Sequence, residues 1–357
     1  YQPGKKFYYL FIDFSILKRY SIFMWKKISL FVIIQFCISS VLFADEVLPV
    51  NNRDFLSTVE REIALVRENI SIVHYSFYSK GAPSKIIKLL KRASKRNINV
   101  QILLDDNSKY SKAFQKKYSA DFQIKLDSPE RTTHCKLIIF DNNKTLLGST
   151  NLSNNSMVNN NETNVLIYSK TIADYFNSYF KTLWRNSEDS VSIEKKDTEN
   201  IIPLSDRDIF PSILELIEKA KQKLYISMYA VKINENFSDS KIKRLLDKIA
   251  KARERGVDVK FLIEKSNFEE FLTEMNKQSL NYLKSKGVPV RFDDPETITH
   301  AKLLISDNAV LIGSANWGYG ALELYHETGV IIKIPEITQS FYKYFENLWE
   351  APYTQQD

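Results

Sequence analysis

Histidine and cysteine are scarce in this chain of 357 residues, and that scarcity narrows the chemistry open to it. There are two cysteines, Cys37 and Cys135, and Cys37 lies in a segment expected to be removed. A single remaining thiol cannot form an intramolecular disulfide, so stability must come from the core. No Cys-x-x-Cys pair, His-Glu-x-x-His run or glycine-rich phosphate loop occurs. The sequence therefore makes no case for a metal or a nucleotide cofactor. Excess charge is also lacking outside the N-terminus. Of the formal +7, five charges come from Lys5, Lys6, Lys18, Arg19, Lys26 and Lys27 less Asp13. The remainder is nearly neutral, so nucleic-acid binding is neither demanded nor excluded by charge. Hydrophobic residues at 44% and charged residues at 26% belong to a globular chain with a substantial core.

The first methionine is Met24, taken as the start, and residues 1–23 do not read as part of a fold. Lys26 and Lys27 precede an uncharged, mostly apolar run from Ile28 to Phe43, and Ala44 is followed by Asp45 and Glu46. This layout predicts a signal peptide cleaved near Ala44 and an exported product, secreted or periplasmic. An uncleaved membrane anchor is the alternative, although sixteen residues fall short of the roughly 20 that a span requires.

The body reads twice. Arg53-Asp54 and Arg207-Asp208 each open a helical pattern, and each pattern leads into an apolar strand, ISIVHYSF or LYISMYAV. SKIIKLLKRASKR and SKIKRLLDKIAKARERG follow, with Ile and Leu at three- and four-residue steps. LDSPERTTH and FDDPETITH match next, and each half closes on an aromatic helix, around Trp184 and around Trp349. The expected halves are residues 45–185 and 204–357, joined by a polar, aperiodic linker at 186–203. Strands alternating with helices predict an α/β fold: two tandem α-β-α layered halves about a pseudo-twofold axis, with the active site at their interface.

The most informative repeat is HCKLIIFDNNKTLLGSTN, His134 to Asn151, matched by HAKLLISDNAVLIGSAN, His300 to Asn316. Alternate residues of a strand share a face, so His134 points with Lys136, and His300 with Lys302. Two imidazoles and two ammonium groups suit a phosphodiester: the lysines neutralise its oxygens and the charge of the transition state. One imidazole can attack phosphorus while the other protonates the leaving alkoxide. Ser149, Asn151, Ser314 and Asn316 are candidate phosphate-binding donors. Glu162 and Glu327 follow their own histidines by 28 and 27 residues, and are read as orienting carboxylates within each half. Asp141 and Asp307 sit at turns and are read as structural.

These paired His-x-Lys-x4-Asp motifs resemble the signature of the phospholipase D superfamily, and the resemblance covers residues 50–350. It implies a metal-independent phosphodiesterase that hydrolyses phospholipid head-group diesters through a phosphohistidine, with phospholipid and the membrane surface as partners. By similarity His134 is the nucleophile and His300 the general acid, although the residues alone leave that order open. The resemblance also admits a secreted nuclease acting on DNA or RNA and a phosphatidyltransferase like the cardiolipin synthases. A silent lipid- or nucleic-acid-binding protein is the reading from another class, disfavoured because both motifs are intact. Cardiolipin synthases usually carry Arg-Ser shortly after the Gly-Ser-x-Asn element, and neither copy here has it. Elsewhere, His74 reads as a core or pocket-edge residue, and His326 as a surface or supporting one. Trp317 and Tyr319 read equally as a substrate wall or as core.

Overall fold

Short uncharged runs of Ile, Leu and Val form buried strands in this chain, and the repeated text becomes repeated topology. The computed structural model describes residues 45–186, 188–233 and 240–351. The predicted signal peptide lies outside the described residues.

The first half contains β1 (Glu46–Pro49), β2 (Asn69–His74), β3 (Asn99–Leu104), β4 (Gln123–Leu126), β5 (Lys136–Phe140), β6 (Lys144–Gly148) and β7 (Asn164–Tyr168). The second contains β8 (Ile201–Ser205), β9 (Lys223–Met228), β10 (Asp258–Ile263), β11 (Val290–Phe292), β12 (Lys302–Ser306), β13 (Ala309–Gly313) and β14 (Thr328–Ile332). Their orders, β1-β7-β6-β5-β2-β3-β4 and β8-β14-β13-β12-β9-β10-β11, agree strand for strand. In each sheet the three strands at one end are parallel and the rest antiparallel. The helices are α1 (Asp54–Leu65), α2 (Pro83–Lys95), α3 (Lys109–Tyr118), the short α4 (Asn154–Val158) and α5 (Lys170–Arg185) in the first half. In the second they are α6 (Ile209–Lys219), α7 (Lys241–Glu254), α8 (Glu270–Ser285) and α9 (Pro335–Trp349).

The strand β5 shows why its text is apolar throughout rather than alternating. Leu137 and Ile139 face a core shared by both sheets, whereas Ile138 and Phe140 face the core beneath α1 to α3. Leu303 and Leu304 of β12 divide in the same way between the shared core and the one beneath α6 to α8. Tyr175, Phe176 and Tyr179 of α5 and Phe341 and Phe345 of α9 complete the shared core. The α/β class and the two repeated layered halves are therefore present.

One boundary needs correcting. Residues 201–203, read above as linker, begin β8, and Ile201 pairs with Ile332 of β14. Pro203 interrupts the apolar run and conceals the strand, yet β8 is an edge strand, where a missing N–H is tolerated. Pro49 ends the equivalent edge strand β1.

The halves are joined at the motif itself. The His134 N–H donates to the His326 carbonyl at 2.9 Å, and the His300 N–H to the Asn161 carbonyl at 2.8 Å. The return bonds run from His326 N–H to Thr132 at 2.9 Å and from Asn161 N–H to Ile298 at 2.8 Å. These paired bridges set each histidine beside the carboxylate of the opposite half.

Candidate active site

Each histidine lies two residues before its strand and one after a buried threonine, and its ring turns toward the other half. His134 Nδ1 donates to Glu327 Oε1 at 2.9 Å, and His300 Nδ1 donates to Glu162 Oε2 at 3.0 Å. The pairing within each half expected from sequence is thus replaced by pairing across halves. The physical reason lies in the backbone bridges, which place residues 326 and 161 against residues 134 and 300. Both glutamates are fully buried, so each carboxylate depends on its bonds for solvation. A carboxylate on Nδ1 fixes the proton there and leaves Nε2 as the reactive nitrogen.

Lys136 and Lys302 are 3% and 2% exposed, and each Nζ donates at 2.7 Å to the carbonyl of its own motif histidine. Burial pushes Lys136 down to about 8, against the pull of Glu327. Burial also holds Lys302 well below its ordinary value. His300 falls to about 4 through burial, with Glu162 opposing, and burial lowers His134 in the same sense. Burial raises Glu162, but His300 and Lys302 outweigh it and hold the carboxyl below its ordinary value. Burial thus works against charge on both imidazoles and both lysines, most strongly on His300 of the two rings, and the buried glutamates oppose it.

Ser149 and Ser314 do not present free hydroxyls. Ser149 Oγ donates to Glu162 Oε2 at 2.5 Å, and Ser314 Oγ donates to Glu327. Each hydroxyl also accepts a backbone N–H, from Thr163 at 2.9 Å and from Thr328 at 3.0 Å. They brace the carboxylates. Asn151 and Asn316 differ, because their Oδ1 atoms have no hydrogen-bond partner. The preceding glycine is required by close approach: a Cβ on Gly313 would stand 2.6 Å from the Thr328 carbonyl oxygen.

Asp141 and Asp307 stand beyond the opposite ends of β5 and β12, away from the histidines. Asp307 accepts the N–H groups of Lys221, Gln222 and Lys223 at 2.8–2.9 Å, and Asp141 accepts those of Arg67, Glu68 and Asn69. Both occupy left-handed backbone, at φ 48° and 49°. Their work is to hold the start of β9 and β2.

Of the expectations about the other two histidines, one changes and one holds. His326 is not on the surface: it is fully buried, and its Nδ1 donates to Asp206 Oδ2 at 2.9 Å. His74 is buried opposite Lys136 in the sheet register, and burial together with that charge keeps it neutral. Trp317 is buried edge-on to Phe261 at 5.6 Å and Tyr319 is 69% exposed, and both line the cavity described below.

Two duplicated features escaped the sequence reading. Tyr75 and Tyr229 meet the rings of His134 and His300 at 5.5 and 4.6 Å, in edge-to-face contact. The aligned strands HYSF and MYAV carried that signal, masked by ordinary core composition. The second feature is a carboxyl pair behind each histidine. Asp105 and Asp127 both accept the Thr133 N–H, at 2.8 and 3.0 Å, and Glu264 accepts the Thr299 N–H at 2.6 Å with Asp293 beside it. Burial and the neighbouring carboxyl push Asp105 up to about 7 and Glu264 up to about 10. A proton held between two carboxyls relieves their repulsion.

A raised folded value means the contribution is complete below the ordinary carboxylate value and fades as pH rises through the folded one. The contribution of the pairs to the melting temperature is therefore expected to fade from about pH 4 to about pH 7 at Asp105 and to about pH 10 at Glu264, against the opposite slope of the buried histidines below about pH 6.5. Asp127→Asn removes the repulsion at one pair and should flatten that slope in thermal melts. An unchanged slope would rule the pair out as its source.

Beside His134 and Glu327 opens a cavity of about 1040 Å³, its walls including Ile242, Met275, Trp317, Leu324 and Tyr325. Its volume is at the upper end for small-molecule sites.

Residues 59–184 and 213–349, well over half the chain, match the family described as "Cardiolipin synthase, PLD-like domain". A phospholipase D of Rickettsia typhi is 28% identical over 130 residues, 36% of this chain and 57% of that protein. One of Rickettsia prowazekii matches to the same extent, so the chain spans little more than half the length of these curated relatives. The phosphatidylserine synthase of Haemophilus influenzae superposes with a TM-score of 0.69 at 14% identity, covering 86% of each chain. The polyphosphate kinase of Porphyromonas gingivalis superposes at 0.59 and 13% identity, over 86% of this chain and 50% of that one. At such identities the superpositions speak for the shared fold. Together with the duplicated motif and the matched residues, they lead to one conclusion: the chain belongs to the phospholipase D superfamily, whose members act on phosphodiester bonds.

Proposed function

We propose that the protein hydrolyses phospholipid head-group diesters, with one of His134 and His300 attacking phosphorus and the other giving up and regaining a proton. In the first step Nε2 of one imidazole attacks phosphorus, a P–N bond forms, and the P–O bond to the leaving alkoxide breaks. That alkoxide takes a proton from the other imidazole. In the second step the same imidazole removes a proton from water, the resulting hydroxide attacks phosphorus, and the P–N bond breaks. Lys136 and Lys302 neutralise the non-bridging oxygens, and Asn151 and Asn316 supply neutral contacts. Glu162 and Glu327 keep each ring in the tautomer that the steps require.

The observation that carries the choice of substrate is the cavity beside His134, whose apolar residues Ile242, Met275, Trp317 and Leu324 suit an acyl-bearing group, with Lys232 and Lys241 in the same wall for its phosphate. The near-neutral body supports the same choice, since strong nucleic-acid binding draws on positive charge. Purified full-length protein, with EDTA, is to be incubated with phosphatidylcholine, cardiolipin, and single- and double-stranded DNA. Release of choline or phosphatidic acid is the expected result. Cleavage of DNA without lipid turnover would replace this reading by a nuclease. An added primary alcohol tests transfer: a phosphatidyl-alcohol as main product would make the enzyme a phosphatidyltransferase.

A further inference from the structure

The two histidines are equivalent in their immediate contacts and unequal one layer farther out. In the first half, Glu162 is held by Asn52: the Glu162 N–H donates to Asn52 Oδ1 at 2.8 Å, and the Asn52 N–H donates to the Glu162 carbonyl at 3.1 Å. In the second half Asp206 takes that place. The Glu327 N–H donates to Asp206 Oδ1 at 3.0 Å, and the Asp206 N–H donates to the Glu327 carbonyl at 3.0 Å. The backbone is the same, left-handed at φ 52° for Asn52 and 45° for Asp206. Even the tyrosine is repeated, Tyr344 donating to Asn52 at 3.3 Å and Tyr179 to Asp206 at 2.6 Å. Only the charge differs. The residue before the glutamate follows suit: Asn161 bonds Thr299 Oγ1 at 3.1 Å, whereas His326 bonds Asp206 at 2.9 Å.

Asp206 is 1% exposed, and its carboxylate collects donors from Tyr179, His326, Glu327 and Val191. These bonds satisfy the buried carboxyl. We propose that Asp206 and His326 are positioning residues that act on His134 through Glu327 and make the two histidines unequal, leaving the proton of the resting site on His134 and His300 as the free base. A second negative charge behind Glu327 favours an imidazolium at His134, and the neutral Asn52 offers His300 no such support.

The other groups facing this network do not cancel the difference. Lys136 and Lys302 act on both histidines. Tyr75 and Tyr325 face His134 as neutral rings, and Tyr229 faces His300 as another. The Cys135 thiol, behind Tyr179 at 3.6 Å, is held in its neutral form by burial. Burial raises Asp208, in the turn after Asp206, and Lys195 opposes that shift. This assignment reverses the order that the family resemblance implies, and it rests on the phosphodiesterase reading for its catalytic meaning.

With four histidines in the chain, imidazole resonances can be followed singly by NMR from about pH 4 to about pH 9 on the full-length protein, with His134→Asn and His300→Asn giving the assignments. In the wild type His134 is expected to titrate above His300. Asp206→Asn should lower the His134 midpoint by roughly one pH unit and leave that of His300 in place. His326→Asn, which copies Asn161, should move His134 alone. The reciprocal Asn52→Asp should raise the His300 midpoint by a similar amount and decides the matter if Asp206→Asn fails to fold. A His134 midpoint unmoved in folded Asp206→Asn, or a His300 midpoint unmoved in Asn52→Asp, would overturn the proposal. These titrations need no substrate, so a protein without phosphodiester turnover would refute the functional reading and still test this one.

Discussion

Replacing His134 or His300 by Asn is expected to lower phosphodiester turnover by about 10⁴-fold or more, because each removal takes away a whole chemical role. Each loss should equal that of the double variant, since residues acting as a unit are not additive. The two variants then separate by substrate. An activated diester with a phenolate leaving group needs little protonation, so the variant lacking the general acid still completes the first step. It should accumulate a phosphohistidine, recoverable after acid-free quenching by mass spectrometry. The variant lacking the nucleophile should give none. If His300 attacks, as inferred above, His134→Asn accumulates the adduct. Turnover within tenfold of wild type in both variants would refute the shared site. Circular dichroism must accompany these assays, because Glu162 and Glu327 are buried and each loses one partner. That loss costs about 1–3 kcal/mol.

The second large effect concerns the crossed carboxylates. Glu162→Gln keeps the shape but offers His300 Nδ1 an amide, which can satisfy it as a donor. The ring then carries its proton on Nε2, the nitrogen needed for attack. A comparable exchange in serine proteases costs about 10⁴ in kcat. A loss of about 10³-fold is expected for either Glu162→Gln or Glu327→Gln. The informative readout is location. Glu162→Gln should move the His300 resonances and Glu327→Gln those of His134, although each partner lies in the other half, 138 and 193 residues away. Effects confined to the same half would contradict the crossed arrangement.

Much of this was legible in the text. The duplication exposed the strand order, because two independent stretches repeat the same succession of apolar runs and helical steps. The choice of His134, Lys136, His300 and Lys302 followed from alternation along a strand, a rule that needs only neighbouring residues. Asp141 and Asp307 were legible as turn residues for the same reason. Tyr75 and Tyr229 were on the page too, hidden because a tyrosine in an apolar strand looks like core.

The sequence by itself determined the α/β class, the two halves and the candidate site side chains, since periodicity and repetition are local properties. Only the tertiary structure decided which glutamate meets which histidine, that Ser149 and Ser314 turn to those glutamates, and that His326 is buried on Asp206. It also decided that Asn52 and Asp206 occupy matching places behind the site, in two frames that differ there and at Asn161 and His326. The reason is physical. Hydrogen bonds between residues far apart in the chain depend on how two sheets face each other, and that geometry comes from packing a core shared by both halves.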